Sequence, residues 1–223
     1  MQLTVKDAAK TLHVTEKTIY RWIQSGGLPV YRVAGQYRIN RAMLFDWASS
    51  KRVNFAATRE EPEPELPLPH LLDALKTGGV YYRIAGKTAP EVFRNLVRQL
   101  DLPDQVDRDF LCQSLLQRES LQSTGVGDGI ALPHVRNPAI LEIKTPGIAL
   151  CFLENPIEFH ALDGQPVDIL FILLAPTVRI HLHLLSRLSF VLRDTAFKKL
   201  LHDNPGRDEL YAAVSRLETA IGE

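Results

Sequence analysis

The sequence predicts an α/β protein with two domains: a small N-terminal winged helix-turn-helix, and a larger C-terminal mixed sheet with helices on both faces. The first supporting observation is a stretch of alternating proline and glutamate within residues 58–69. Such a composition favours an extended chain that buries little apolar surface, as interdomain linkers do. We therefore expect domains at residues 1–54 and 69–223, joined by a linker at 55–68.

The second observation is the uneven distribution of charge. The whole chain is balanced, with 26 basic and 26 acidic side chains, so no global field favours nucleic acid or a membrane. Residues 1–53 nevertheless contain nine basic and three acidic side chains, a net charge of +6. This asymmetry indicates a small basic domain joined to a mildly acidic one.

The N-terminal elements are predicted to be two short helices, a hairpin and a third helix. Thr4 is a capping residue for the first helix, and Thr15 caps a second that runs to about residue 25. Alternating residues around Ala34-Gly35 predict a β-hairpin over 30–39, and the last helix spans about 41–50. Two helices joined by a tight turn and followed by a basic hairpin are typical of a winged helix-turn-helix.

The C-terminal elements are predicted to be a mixture of apolar strands and amphipathic helices. One helix start is well marked, because Thr88 and Glu91 form a capping box with a proline in the first turn. Mixed strands and helices of this kind imply a sheet covered on both faces. We expect, in order, a helix at 70–75, a strand at 80–84, helices at 88–100 and 108–117, strands near 130, at 147–153 and at 167–174, and helices at 180–192, 194–202 and 208–220.

Composition also narrows the functional class. No apolar run approaches the roughly 18 residues that a membrane span requires, and no signal peptide precedes the first helix. Cys112 and Cys151 are expected to be buried free thiols, which fits a reduced cytoplasm. No histidine or cysteine spacing resembles a known zinc pattern. We expect a cytoplasmic protein with no metal and no cofactor.

The most informative segment is Ser123-Thr124-Gly125-Val126-Gly127-Asp128-Gly129-Ile130-Ala131-Leu132-Pro133-His134. Glycines at alternate positions let backbone amides approach a ligand closely, and the apolar run that follows predicts a buried strand end. Pro133 stiffens the chain, so His134 is expected at a constrained strand-to-loop junction. A nucleophilic histidine needs a fixed imidazole of this kind, beside amides that can hold an anion.

This segment resembles the phosphorylation-site motif of the enzyme IIA domains of the bacterial sugar phosphotransferase system, of the fructose/mannitol and nitrogen-regulatory type. The run over residues 118–125 is similar to that family's Arg-Glu-x-x-x-Ser-Thr-Gly, and segments at 163–171 and 181–186 extend the resemblance to about residues 68–220. The resemblance implies that His134 receives a phosphoryl group from a histidine phosphocarrier protein. One departure is Val135, where the family often has glycine; its side chain is expected to narrow the approach to the imidazole.

The same resemblance implies roles for further residues. Arg118 matches the family's active-site arginine, whose planar guanidinium suits phosphate oxygens. His181 aligns with the family's second active-site histidine. The groups expected to bind the phosphoryl oxygens belong to Ser123, Thr124, Gly125 and Gly127.

The N-terminal segment resembles the small DNA-binding domain of MerR-type regulators and phage excisionases. The residues that carry this resemblance are Ala8-Ala9, Leu12-His13-Val14, Thr18-Ile19-Tyr20-Arg21-Trp22, Gly26-Gly27-Leu28-Pro29 and Arg38-Ile39. It implies that the second helix enters the major groove and that the hairpin contacts the backbone or minor groove. So small a domain makes few phosphate contacts, so specific regulation is expected to require a homodimer on a two-fold site. The expected DNA-binding residues are Lys17, Thr18 and Arg21 on the helix, with Arg32, Arg38 and Arg41 on or beside the wing.

Together these features predict a DNA-binding transcriptional regulator that the phosphotransferase system phosphorylates on His134, with phosphorylation modulating DNA or partner binding. The phosphohistidine would be an intermediate of phosphoryl transfer, so the chain is not expected to be a metabolic enzyme. Two alternatives stay open. In the first, the chain is a phosphocarrier that relays phosphate to a sugar transporter or regulatory partner. In the second, it is a non-phosphorylated regulator that senses an anion in the same pocket.

Overall fold

The computed structural model describes residues 2–12, 14–25, 27–33, 35–50, 66–104, 106–136, 138–141 and 143–220. The chain divides into two compact units, residues 1–65 and 66–223. Most of the expected linker, residues 55–65, lies outside the described residues.

The N-terminal unit contains a three-stranded antiparallel sheet and three helices. The central strand of the sheet is the third in sequence, since the strand order is β1-β3-β2. β1 is an addition to the prediction, because a strand of two residues carries no readable alternation. The elements are β1 (Gln2–Leu3), α1 (Val5–Thr11), α2 (Glu16–Gln24), β2 (Tyr31–Val33), β3 (Gln36–Asn40) and α3 (Arg41–Ser50).

The predicted caps and the predicted buried face of α2 organise this unit. The Thr4 hydroxyl accepts a hydrogen bond from the Asp7 amide, and the Asp7 carboxylate accepts one from the Thr4 amide, which completes a capping box. Ile19 of α2 is fully buried, and the rings of Trp22 and Trp47 lie 4.8 Å apart. One face of α2 therefore packs into a small apolar core and the opposite face is left to solvent.

The C-terminal unit is the larger one and contains the rest of the regular structure. It combines strands and helices in one mixed-sheet unit, as expected, which confirms the α/β class. The elements are α4 (Leu71–Gly78), β4 (Val80–Ile84), α5 (Ala89–Gln99), α6 (Arg108–Leu121), β5 (Gly125–Gly127), β6 (Ile130–Ala131), a 3₁₀ turn (Pro138–Leu141), β7 (Gly147–Ile157), β8 (Val167–Leu174), α7 (Val178–Val191), α8 (Thr195–His202) and α9 (Arg207–Thr219).

The five strands of this unit form one mixed sheet in the order β4-β7-β8-β6-β5. β4 runs parallel to β7 and β6 runs parallel to β8, whereas β7 with β8 and β5 with β6 are antiparallel. Beyond the end of β6, His134 makes one further parallel bridge to Leu173 of β8. The topology thus holds His134 beside the carboxyl end of β8, a strand that is buried at every position except Asp168.

Helices cover both faces of this sheet, as predicted. Ile148, Leu150 and Phe152 of β7 belong to a core that also contains buried residues of α4, α7, α8 and α9. The alternate residues Ala149 and Cys151 are equally buried, so they face the other side of the sheet, where α5 contacts β4 and β7.

Element boundaries near the glycine-rich segment differ from the prediction. α6 continues to Leu121, whereas the sequence predicted an end at 117. The prediction was too short because the last turn of the helix is polar and its final leucine is 66% exposed, so the turn shows no apolar periodicity. Residues 125–127 form strand β5, although glycine has a low strand propensity. Pairing with β6 supplies the hydrogen bonds that make this segment a strand.

Candidate functional site

The imidazole of His134 is held by a hydrogen bond to its own backbone segment. Its Nδ1 lies 2.8 Å from the carbonyl oxygen of Leu132, and the side chain is half-buried. A carbonyl oxygen only accepts hydrogen bonds, so Nδ1 carries the proton in this contact. In the neutral ring, Nε2 is then left with a free lone pair. The arrangement provides a fixed, unprotonated ring nitrogen.

A second histidine lies against the first. His181 is in the first turn of α7 and is only 7% exposed, and its ring centroid lies 5.0 Å from that of His134 at an interplanar angle of 48°. Its Nδ1 is buried and has no hydrogen-bond partner among the described residues. The fold therefore brings together two of the three residues expected to be catalytic, although 46 residues separate them in the sequence.

Both rings are held in the neutral form at neutral pH. Burial lowers the pKa of His134, and the positive charge of Arg118 lowers it further, while the Leu132 carbonyl and the Glu119 carboxylate oppose the shift. Burial and the neighbouring His134 lower the pKa of His181 to about 4. A neutral imidazole is the nucleophilic form, so the electrostatics of the pair favour chemistry at a ring nitrogen.

Arg118 and Glu119 place opposite charges near His134 from the last turn of α6. Nη1 of Arg118 donates to the Gln122 carbonyl oxygen at 2.8 Å, which fixes the guanidinium and leaves its other N–H groups available. Glu119 is half-buried and accepts two hydrogen bonds from Thr124. Sequence reasoning assigned no role to Glu119, although it stands within the Arg-Glu run. Its adjacency to Arg118 was the signal that could have drawn attention to it.

The hydroxyls that were expected to bind phosphate are engaged within the protein. Ser123 Oγ donates to the Phe159 carbonyl oxygen at 2.6 Å and accepts from the Gly125 amide at 3.1 Å. Thr124 Oγ1 donates to the Glu119 carboxylate at 2.6 Å. These bonds shape the backbone beside His134, and direct donation to a phosphoryl group would require them to be exchanged.

Gly125 and Gly127 have distinct structural reasons to be glycine. A Cβ on Gly125 would stand 2.6 Å from the Cβ of Ala161, so the backbone there packs too closely for a side chain. Gly127 has φ of +96°, in the region that favours glycine. The Val135 side chain is buried in the protein at 1% exposure, so it packs into the interior and does not project into solvent.

The expected DNA-binding residues lie mostly on α2. Lys17 and Arg21 are exposed and one helical turn apart, so they share a face. Thr18 is half-buried, with its Oγ1 3.0 Å from that of Thr15, so it contributes to the start of the helix. Arg38 is half-buried on β3. The remaining two expected residues, whose side chains lie outside the description, are Arg32 on β2 and Arg41 at the start of α3.

Within the described ranges, no three His, Cys, Asp or Glu side chains come together as ligands of a metal ion would. Among the helices of those ranges, none is both long and apolar enough to cross a bilayer.

The fold and the site define a protein that joins a helix-turn-helix unit to an α/β unit carrying a fixed histidine with an unprotonated ring nitrogen. A family model described as the phosphoenolpyruvate-dependent sugar phosphotransferase system, EIIA 2, matches residues 74–216, and one described as a helix-turn-helix domain matches residues 3–52. The chain belongs to this EIIA 2 family and carries a helix-turn-helix domain at its N-terminal side. Both expectations drawn from resemblance are thereby confirmed at the level of the family.

Curated relatives and solved structures agree with this assignment. The chain is 39% identical over 137 residues to the nitrogen regulatory protein of Escherichia coli K12, covering 59% of this chain and 79% of the relative. It is 38% identical over 130 residues to that of Pseudomonas aeruginosa, covering 57% and 81%. The crystal structure of nitrogen regulatory protein IIA-Ntr from Neisseria meningitidis matches with a TM-score of 0.50 at 29% identity, over 64% of this chain and 94% of that one.

Proposed function

We propose that this protein is a DNA-binding transcriptional regulator whose activity is modulated by phosphorylation of His134. The observation that carries the proposal is the hydrogen bond from His134 Nδ1 to the Leu132 carbonyl oxygen, which leaves Nε2 as a free nucleophile in the neutral ring. Membership in the EIIA 2 family indicates the chemistry that such a nucleophile serves.

The proposed step is a phosphoryl transfer between two histidines. The Nε2 lone pair of His134 attacks the phosphorus of a phosphohistidine on a phosphocarrier protein. The new N–P bond forms as the donor's N–P bond breaks, and the donor imidazole leaves with the electron pair of that bond. No other reactant is needed. Since this chemistry rests on positioning and charge stabilisation, the fixed ring supplies the positioning.

The residues around His134 have separate proposed roles. Arg118 offers a guanidinium fork to the phosphoryl oxygens, since a charge-assisted bidentate contact suits them. His181, kept neutral by burial, contacts the phosphoryl group through the ring nitrogen that is not buried. The segment that frames the group consists of Ser123, Thr124, Gly125 and Gly127, whose internal hydrogen bonds and close packing hold it in place.

Phosphorylation by phosphoenolpyruvate and the general phosphotransferase proteins tests the proposal directly. The wild type should incorporate one phosphoryl group and His134→Ala none, whereas His70→Ala, which removes an exposed histidine on α4's N-terminal side, should be labelled normally. Absence of label on the wild type with every donor would overturn the proposal. Passage of the label to a second protein would instead favour a phosphocarrier, and a normal response in His134→Ala would favour an anion sensor.

We propose that DNA contacts the exposed face of α2. Lys17 and Arg21 lie on that face, and the unit that contains them has a net charge of +6 over residues 1–53. Each lost phosphate contact should reduce the slope of log affinity against log salt by about 0.9. Lys17→Ala and Arg21→Ala should therefore each flatten the salt dependence of DNA binding. Arg83→Ala, which removes an exposed arginine of the C-terminal unit, serves as the matched control.

The proposed link between the two activities is electrostatic. Phosphohistidine adds roughly two negative charges to a protein whose N-terminal segment is strongly basic. DNA affinity measured before and after phosphorylation should differ for the wild type and stay constant for His134→Ala. We further propose the domain limits 1–54, 55–68 and 69–223, and binding as a homodimer to a two-fold site. A monomer in light scattering that still binds a single half-site tightly would contradict the dimer.

A further inference from the structure

A chain of hydrogen bonds connects Glu119 to the imidazole of His134. The Glu119 carboxylate accepts from the Thr124 amide at 2.9 Å and from the Thr124 hydroxyl at 2.6 Å. The Thr124 carbonyl oxygen accepts from the Leu132 amide at 3.0 Å, and the Leu132 carbonyl oxygen accepts from His134 Nδ1 at 2.8 Å. Each hydrogen bond on this path is donated toward Glu119: the imidazole donates to Leu132, Leu132 donates to Thr124, and Thr124 donates to the carboxylate.

We propose that Glu119 is a positioning residue that sets how readily phosphorylated His134 gives up its phosphoryl group. The inference rests on the proposed function and concerns the same site. Through Thr124 and Leu132 the carboxylate supports the acceptor that keeps the proton on Nδ1. A ring that is protonated on Nδ1 and phosphorylated on Nε2 is a better leaving group than an unprotonated one, so the N–P bond breaks more easily.

Charge acts in the same sense as this hydrogen bonding. Negative charge on Glu119 favours the positively charged imidazolium of His134 and repels an attached phosphoryl group. Arg118 acts in the opposite sense, since its guanidinium disfavours the imidazolium and attracts the phosphoryl oxygens. Because the opposite charges of Arg118 and Glu119 act on the same imidazole, removing one of them should change the stability of the phosphohistidine.

The test measures the equilibrium constant for phosphoryl transfer from the phosphocarrier protein to His134 in the full chain. Glu119→Gln removes the charge but keeps an amide that can accept from the Thr124 amide and donate to its hydroxyl. We expect the equilibrium constant to rise by about fivefold or more, because a fivefold change corresponds to about 1.6 RT and like charges several ångströms apart at an effective dielectric near 20 interact by more than that. The phosphohistidine should also hydrolyse more slowly.

Two variants separate charge from structure. Glu119→Asp keeps the negative charge and should shift the equilibrium constant less than Glu119→Gln does, whereas Glu154→Gln removes a partly exposed carboxylate paired with Arg83 and is the matched control for net charge. An unchanged equilibrium constant in Glu119→Gln, or the same shift in Glu119→Asp or Glu154→Gln, would overturn the inference.

A second readout does not depend on phosphorylation. In the unphosphorylated protein, the titration midpoint of His134 followed by NMR should fall in Glu119→Gln and fall less in Glu119→Asp. Failure of the wild type to become phosphorylated would refute the proposed function, while this midpoint would still report the influence of Glu119. An unchanged midpoint alongside normal phosphorylation would refute only the role given to Glu119.

Discussion

The burial of His181 should make the stability of the C-terminal unit depend on pH. Its pKa is lowered to about 4 in the folded protein, whereas an unfolded histidine titrates near 6.5. Below about pH 6.5 the unfolded chain therefore binds more protons than the native state, so the free energy of unfolding falls as pH falls. The stabilisation of the native state that comes from keeping His181 neutral is complete above about pH 6.5 and is lost progressively as the pH falls toward 4.

The size of the effect follows from the shift. Each pH unit below 6.5 costs about 1.4 kcal/mol until the folded pKa is approached, so lowering the pH from 7.5 to 5 should cost about 2 kcal/mol through His181. The pKa of His134 is lowered as well, so it adds to the loss in the same direction. In His181→Gln, which cannot gain a proton, the His181 contribution should disappear.

Urea unfolding at the two pH values, in the wild type and in His181→Gln, measures this difference. Both tryptophans of the chain, Trp22 and Trp47, belong to the N-terminal unit, so tryptophan fluorescence follows that unit and serves as an internal control. Hydrogen exchange of the β8 amides follows the C-terminal unit. Equal losses of stability in the two proteins, or an NMR titration of His181 near pH 6.5, would refute the reasoning.

Three further substitutions should have effects of different sizes. Gly125→Ala should destabilise the C-terminal unit by about 1–3 kcal/mol, since the new Cβ would stand 2.6 Å from that of Ala161. A decrease of less than about 0.5 kcal/mol in the free energy of unfolding, measured with urea, would contradict this packing. Asp128→Asn should cost under about 1 kcal/mol in the same assay, because its 2.6 Å ion pair with Lys198 is partly exposed to solvent; a greater cost would indicate a structural role. Thr4→Ala should cost the N-terminal unit about 1 kcal/mol through loss of its cap, and an unchanged tryptophan-detected midpoint would disprove it.

Local sequence signals were sufficient for the elements and for the family. The helix that starts after Thr88 has the predicted Thr88 cap, although the Glu91 carboxylate accepts from the Lys87 amide and the capping box is not completed. The largely buried strand at 167–174 has the predicted limits, because caps and apolar runs act over a few residues. The motif around His134 likewise indicated the family that the comparison confirms. Signals failed where they were weak, as at the polar last turn of α6 and the glycine strand β5.

What the tertiary structure alone decided is which groups meet and which atoms remain free. The sequence supplied His134, Arg118 and His181, but only the folded sheet places the two rings 5.0 Å apart and buries them enough to lower both pKa values. It also directs the Ser123 hydroxyl to the Phe159 carbonyl oxygen, 36 residues away in the sequence, rather than to a ligand. A hydrogen-bond partner and a local dielectric depend on residues distant in sequence, and therefore on the completed fold rather than on any short motif.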